Sequence, residues 1–211
     1  MENFSGDHPF AGIGALRKPR GKYFNKEIND VYLKAEALFY NDDGKYQDAA
    51  FDYYLEVADY LINFAKVHGS NTYKKLDECG IIEEFVDNVL QDFEIVLLNA
   101  DSKLELILDY LDRLLQTFKM DLDSYEATIR AKCSTLFKLG KYKEGELLIV
   151  DFLKTHEKRI FAYVELVDQF LLIKDYKNAK KYYDIGMAVS KISADDKECL
   201  EERFDDWYEK A

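Results

Sequence analysis

Proline is absent from this chain after residue 19. Only Pro9 and Pro19 occur, both near the start. Proline lacks a backbone donor and breaks a helix interior, so its absence over the remaining length permits nearly continuous helix. No strict apolar and polar alternation runs for the length of a strand, which sets aside a sheet-based fold. Cysteine is scarce: Cys79, Cys133 and Cys199 lie far apart, and no CxxC pair exists. That excludes a disulfide framework and predicts a reduced, cytoplasmic setting with the three thiols as core fillers. Long apolar runs are missing too. The longest, such as 94–100 and 147–153, fall far short of the ~20 residues a membrane helix needs. Residues 1–20 lack the charged-then-apolar order of a signal peptide.

The motifs of common chemistry are also missing. The nucleotide-binding GxxxxGK[ST] loop does not occur. Gly12-Ile13-Gly14 lacks the third glycine of a dinucleotide fingerprint and follows no strand. His8, His68 and His156 are scattered, and neither HExxH nor the Glu-x-x-His pairs of a di-iron bundle are present. Asp205-Asp206-Trp207-Tyr208-Glu209 superficially matches the DDxxD magnesium motif, but it has no second copy and reads as the solvated face of a terminal helix. Asp121-Leu122-Asp123 lacks the glycine and closing glutamate of a calcium loop. The expectation is therefore no cofactor, no metal and no enzymatic activity. A cysteine and histidine brought together by the fold stay open as an alternative.

The chain does contain material for a large core: 48% of its residues are hydrophobic and 15% aromatic, which sets disorder aside. It is acidic as well. With 29 Lys and Arg against 41 Asp and Glu, its net charge is −12, which repels nucleic acid on average and reads as solvated helix faces, with an acidic groove for a basic partner as the alternative. The one basic run, Arg17, Lys18, Arg20 and Lys22, has no interleaved aromatics and is a poor nucleic-acid footprint. Residues 1–23 hold both prolines and four of the ten glycines. They read as an extended basic arm, with Phe4, Phe10 and Leu16 as candidate anchors onto the acidic body formed by residues 24–211.

Apolar residues at helical spacing predict helices over about 25–39, 46–67, 73–79, 81–98, 102–118, 123–139, 143–153, 160–173, 176–189 and 194–210. Asp123 is a candidate cap with Glu126 closing a capping box, and Ser193 is another. The last helix carries an apolar stripe of Leu200, Phe204, Trp207 and Tyr208 against an acidic face, as a terminal cap requires.

A short unit recurs along these helices. Gly140-Lys141-Tyr142-Lys143-Glu144-Gly145 is followed 34 residues later by Lys174-Asp175-Tyr176-Lys177-Asn178-Ala179, and Gly44-Lys45-Tyr46-Gln47-Asp48-Ala49 precedes both. Each copy ends one apolar helix and opens another. Flanking positions agree: Tyr40, Leu136 and Phe170 before the turn tyrosine, Tyr53, Ile149 and Tyr183 after it. Small residues stand three positions on, at Ala49, Gly145 and Ala179. An earlier small position reads Ala37 and Cys133, but Val167 in the third copy.

These residues resemble the tetratricopeptide repeat, a unit of about 34 residues folded as two antiparallel helices. The resemblance is closest over 124–190. It departs at Glu36 and Lys132, where the family has leucine, and in lacking the closing proline. Tyr46 and Tyr142 stand 96 residues apart, which is not a whole number of units. The fold implied is all-α: a right-handed superhelix of antiparallel hairpins at 25–68, 80–119, 124–155 and 159–190, closed by a C-terminal capping helix. The function implied is a non-catalytic interaction module that takes a peptide or protein segment in a concave groove, without direct nucleic-acid or membrane contact. Groove-facing positions would be Lys34, Leu38, Arg130, Ser134, Phe137, Phe161, Val164, Asp168 and Leu171, with Phe137, Phe161 and Leu171 as apolar anchors. The carboxylate clamp known in the family is not assigned, because Lys34, Asn41 and Arg130 do not fall in consecutive repeats. A helical-array enzyme or regulatory protein with a carboxylate-lined cavity is the alternative. Self-association stays open.

Overall fold

The structure is a computed structural model. It describes residues 18–40, 47–189 and 193–208, the side chains at 47, 48 and 204–208 excepted. The expected anchors Phe4, Phe10 and Leu16, the turn at 44–46 and the side chains of Phe204, Trp207 and Tyr208 lie outside the described residues. Among the described residues the chain is all-α, without a strand. Its helices are α1 (Lys26–Phe39), α2 (Gln47–His68), α3 (Tyr73–Cys79), α4 (Val86–Asn99), α5 (Leu104–Thr117), α6 (Leu122–Lys138), α7 (Tyr142–Leu153), α8 (Ile160–Leu172), α9 (Tyr176–Ala188) and α10 (Ala194–Tyr208). They group into two compact units, Met1–Val96 with Thr117–Lys119, and Leu97–Gln116 with Met120–Ala211.

In the first unit Asn25 opens α1, its side-chain oxygen accepting the Ile28 N–H at 3.2 Å. The apolar stripe that follows, Ile28, Val31, Tyr32 and Ala35, is buried as helix α1 packs on α2. Aromatic rings fill the centre: Phe93 of α4 stacks on Tyr54 of α2 at 5.8 Å and meets Phe51 edge-on at 5.6 Å. All three are 2% exposed or less. Burying a ring of this kind contributes about 1.5–3 kcal/mol.

Residues 18–25 form a strap along the turn between α3 and α4. The backbone N–H of Lys18 donates to the Glu83 carbonyl at 2.7 Å, Gly21 to Gly80 at 3.1 Å and Asn25 to Ile81 at 2.9 Å. Lys18 pairs with Asp77, and Arg20 Nε with Glu83 at 2.6 Å. Lys18 and Arg20 thus meet acidic partners on the body, while Lys22 lies over the Tyr23 ring, 5.1 Å from its centre. This strap also explains a difference from the expected helix at 81–98. Ile81 and Ile82 are buried at 1% and 0% exposure, so their periodicity is real. Their backbone is engaged by the strap, however, and Asn29 Oδ1 accepts the Glu83 N–H at 2.8 Å. The helix therefore begins only at Val86, whose N–H donates to Asp77 at 2.9 Å.

In the second unit α6 packs on α7 and α8, α7 on α8, α8 on α9, and α10 on both α8 and α9. The turns after α6 and α8 have the same hydrogen bonds, 34 residues apart. Gly140 N–H donates to Phe137 at 2.9 Å and Lys141 N–H to Leu136 at 2.8 Å. Lys174 N–H donates to Leu171 at 2.9 Å and Asp175 N–H to Phe170 at 2.8 Å. This pair of bonds is the Schellman closure of a helix end, and it places Gly140 at φ 74° and Lys174 at φ 61°. Gly145 and Ala179 follow where the paired helices cross. A Cβ on Gly145 would stand 2.7 Å from the Phe137 ring, and Ala179 is fully buried.

The first copy of the unit differs. Ala37 and Ala49 are exposed, Tyr40 is 60% exposed, and Ala50 is the buried alanine. The aligned small positions are therefore buried in the second unit, at Gly145 and Ala179, but exposed in the first, at Ala49. The expected cap on α6 also shifts. The helix starts two residues earlier, with Asp121 accepting the Ser124 N–H at 2.9 Å. Asp123 is thereby drawn into the first turn, and Glu126, 3% exposed at its side chain, pairs with Arg159 instead of closing a capping box. Ser193 caps α10 as expected, accepting the Asp196 N–H at 3.0 Å. The helices of the expected hairpin at 80–119 fall largely into different units, α4 in the first and α5 in the second.

Candidate functional site

Where α6 meets α8, a polar seam interrupts an otherwise apolar contact. Helical spacing builds it: Arg130 and Ser134 lie one turn apart on α6, and Phe161, Glu165 and Gln169 follow at successive turns of α8. Gln169 ties the two helices together, its Nε2 donating to Ser134 Oγ at 3.2 Å and to Glu165 Oε1 at 3.0 Å. Arg130 Nε stands 3.6 Å from Glu165 Oε2, too far for a hydrogen bond but close enough for charge attraction. That nitrogen is buried and has no hydrogen-bond partner. The guanidinium carbon lies 5.5 Å from the centre of the Phe161 ring, within cation–π range.

The electrostatics follow from burial. Glu165 is 8% exposed, and desolvation pushes its carboxyl up to about 7, with Arg130 and Gln169 pulling the other way. Burial raises Asp168 as well, against the attraction of Arg203 and Arg130. Beside them, burial and the charge of Glu165 push the fully buried Cys133 thiol up, away from the thiolate form a nucleophile requires. Ser134 Oγ accepts from the Gln169 amide. The seam is suited to holding a group against Arg130 and Phe161. Among the described residues no group of three or more His, Cys, Asp or Glu side chains is placed to hold a metal ion.

Arg130, Ser134, Phe161 and Asp168, named from sequence, come together at this seam. Phe161 is 45% exposed and Arg130 about one-third exposed at its side chain. Phe137, Val164 and Leu171 are core residues at 5% exposure or less. Phe137 packs edge-on against Phe170 at 5.2 Å. Phe161 is therefore the only one of the three expected apolar anchors open to a partner. Lys34 and Leu38 belong to the first unit, where Lys34 is exposed above the Tyr53 ring. Glu165 and Gln169 were missed by sequence reasoning, although a signal existed. Helix α8 reads IFAYVELVDQFLL, and polar residues inside so apolar a helix require partners once buried.

Comparison with family models, with curated proteins and with solved structures finds no match for the chain. Among the described residues no helix is long and apolar enough to cross a membrane.

Proposed function

We propose that this chain is a non-catalytic protein-interaction module of the cytoplasm, and that it holds a peptide or protein segment against α6 and α8. On this reading its hairpins form a right-handed superhelix of the tetratricopeptide-like kind, with α10 as the cap. The observation that carries the proposal is the Arg130–Phe161 pair. A cation and an aromatic ring are held at the surface beside a buried polar network. Exposed arginine and aromatic side chains on rigid helices are the residue types that anchor partners. The identical turn closures 34 residues apart support the repeat architecture that would present such a face.

The test is affinity capture from the native cell with the full chain, run in parallel with Arg130→Ala and Phe161→Ala. Thermal melting serves as the folding control. A partner retained by the wild type and lost from both folded variants is the expected result. A partner captured equally by all three would place the binding face elsewhere.

A further inference from the structure

A cavity of about 160 Å³ opens in the first unit between α1 and the start of α4. Tyr32, Glu36 and Tyr40 line it from one side, and Glu84, Asn88, Gln91 and Asp92 from the other. We propose that this cavity receives the cationic end of a lysine or arginine side chain from a polypeptide partner. The proposal rests on the reading of the chain as a partner-binding protein, and places a second contact in the first unit.

The lining argues for a group that only donates. Glu84 is 3% exposed. Its Oε1 accepts the Phe85 N–H at 2.9 Å and the Asn88 amide at 2.8 Å, while among the described residues no donor reaches its Oε2. Asp92 receives only long bonds, at 3.4 Å from each of the Tyr40 and Tyr54 hydroxyls. The Tyr32 hydroxyl is turned to Glu36 at 3.0 Å. Gln91 turns its amide nitrogen to Asp87 at 3.4 Å, as Asn88 does to Glu84. One N–H of each amide is thereby engaged, and the carboxylates of Glu36, Glu84 and Asp92 make the lining predominantly acceptor oxygen. Ammonium and guanidinium are the charged side-chain groups that donate and never accept.

Charge points the same way. Burial holds the Asp92 carboxyl up at about 6, with the negative charges of Glu36 and Glu84 adding to the effect. A bound cation would relieve that repulsion and supply the nearly buried Glu84 oxygen with its missing donor. The tyrosine rings add surfaces that attract cations. Because the carboxylates do not form a metal-binding group, an extended organic cation fits better than a bare ion.

The test uses the full-length, 15N-labelled chain titrated with acetyl-arginine methylamide, and separately with its neutral citrulline analogue. The readouts are the side-chain amide signals of Asn88 and Gln91. The arginine probe should shift both signals saturably. The citrulline probe, and the arginine probe on Asp92→Asn or Glu84→Gln, should bind about tenfold more weakly, the loss expected for one charge-assisted bond. Thermal melting confirms that both variants fold. Shifts spread evenly over acidic surface residues, or the same affinity in both variants, would overturn the site. Probe binding here alongside failed capture by the α6–α8 face would keep this site and remove the broader reading. A captured partner with no probe response would do the reverse.

Discussion

Replacing Gly21 with alanine should release the strap that crosses the turn after α3. A Cβ at this position would stand 2.5 Å from the Cys79 carbonyl oxygen, 2.7 Å from the Gly80 Cα and 2.9 Å from the Cys79 carbonyl carbon. All three are backbone atoms, so no side-chain rotation relieves the overlap. The strap must move outward by about an ångström, which stretches the Gly21–Gly80 and Tyr23–Cys79 hydrogen bonds, already 3.1 and 3.4 Å long. It also pulls Lys18 from Asp77, a pair 10% and 20% exposed. At about 1 kcal/mol net per bond, with a part-buried ion pair weakened, Gly21→Ala should lose about 2–4 kcal/mol. Gly69→Ala is the control. Gly69 has φ 66° but nothing within 4 Å of the added carbon, so only the left-handed backbone penalty of about 1 kcal/mol applies. Urea denaturation measures both, and tryptic cleavage after Arg20 and Lys22 reports the strap directly. Gly21→Ala should be cut faster and Gly69→Ala should not. Stability of Gly21→Ala within about 0.5 kcal/mol of wild type, with unchanged cleavage, would refute the close packing, since alanine otherwise stabilises through the unfolded chain.

Three further outcomes follow from individual residues. Glu165 is an acid whose folded pKa is raised from 4.5 to about 7. The folded chain therefore binds the extra proton between those values, and stability falls as pH rises through that window. Glu165→Gln should remove about 3 kcal/mol of that pH dependence, read as the difference between variant and wild-type urea midpoints from pH 4.5 to 8; parallel curves would contradict it. Lys174 occupies the left-handed position that Gly140 fills in the preceding turn, so Lys174→Gly should stabilise the chain by about 1 kcal/mol in the same denaturation assay. Cys133 is fully buried with its thiol pushed up, whereas Cys79 and Cys199 are half-buried. A thiol reagent followed by mass spectrometry should label Cys133 last, and early labelling would show that α6 opens readily.

Helix positions were legible in the sequence because each depends on residues three or four apart. The apolar stripes of α1, α5, α6 and α8 needed no knowledge of their neighbours. Boundaries failed where distant residues intervene. Residues 81–85 keep a helical apolar pattern but give their backbone to the strap, and Glu126 is drawn to Arg159 rather than to its own helix end. The candidate site was half legible for a similar reason. A repeat pattern shows which face of a helix turns inward without showing whether another helix covers it. Phe137, Val164 and Leu171 are covered, while Phe161 is not. The cavity in the first unit was readable only in pieces. Tyr32, Glu36 and Tyr40 repeat every four residues, as do Glu84, Asn88 and Asp92. Nothing local indicates that these two acceptor rows face each other across about 50 positions.

Site-specific photo-crosslinking tests the proposed binding face most directly. A benzophenone residue introduced by Phe161→p-benzoylphenylalanine should crosslink a partner polypeptide on irradiation in the native cell. The same residue introduced at Leu147, which is 47% exposed on α7, should not. The adduct from position 161 should disappear when Arg130→Ala is added. Equal crosslinking from both positions, or an adduct at 161 unaffected by Arg130→Ala, would contradict a partner held by α6 and α8.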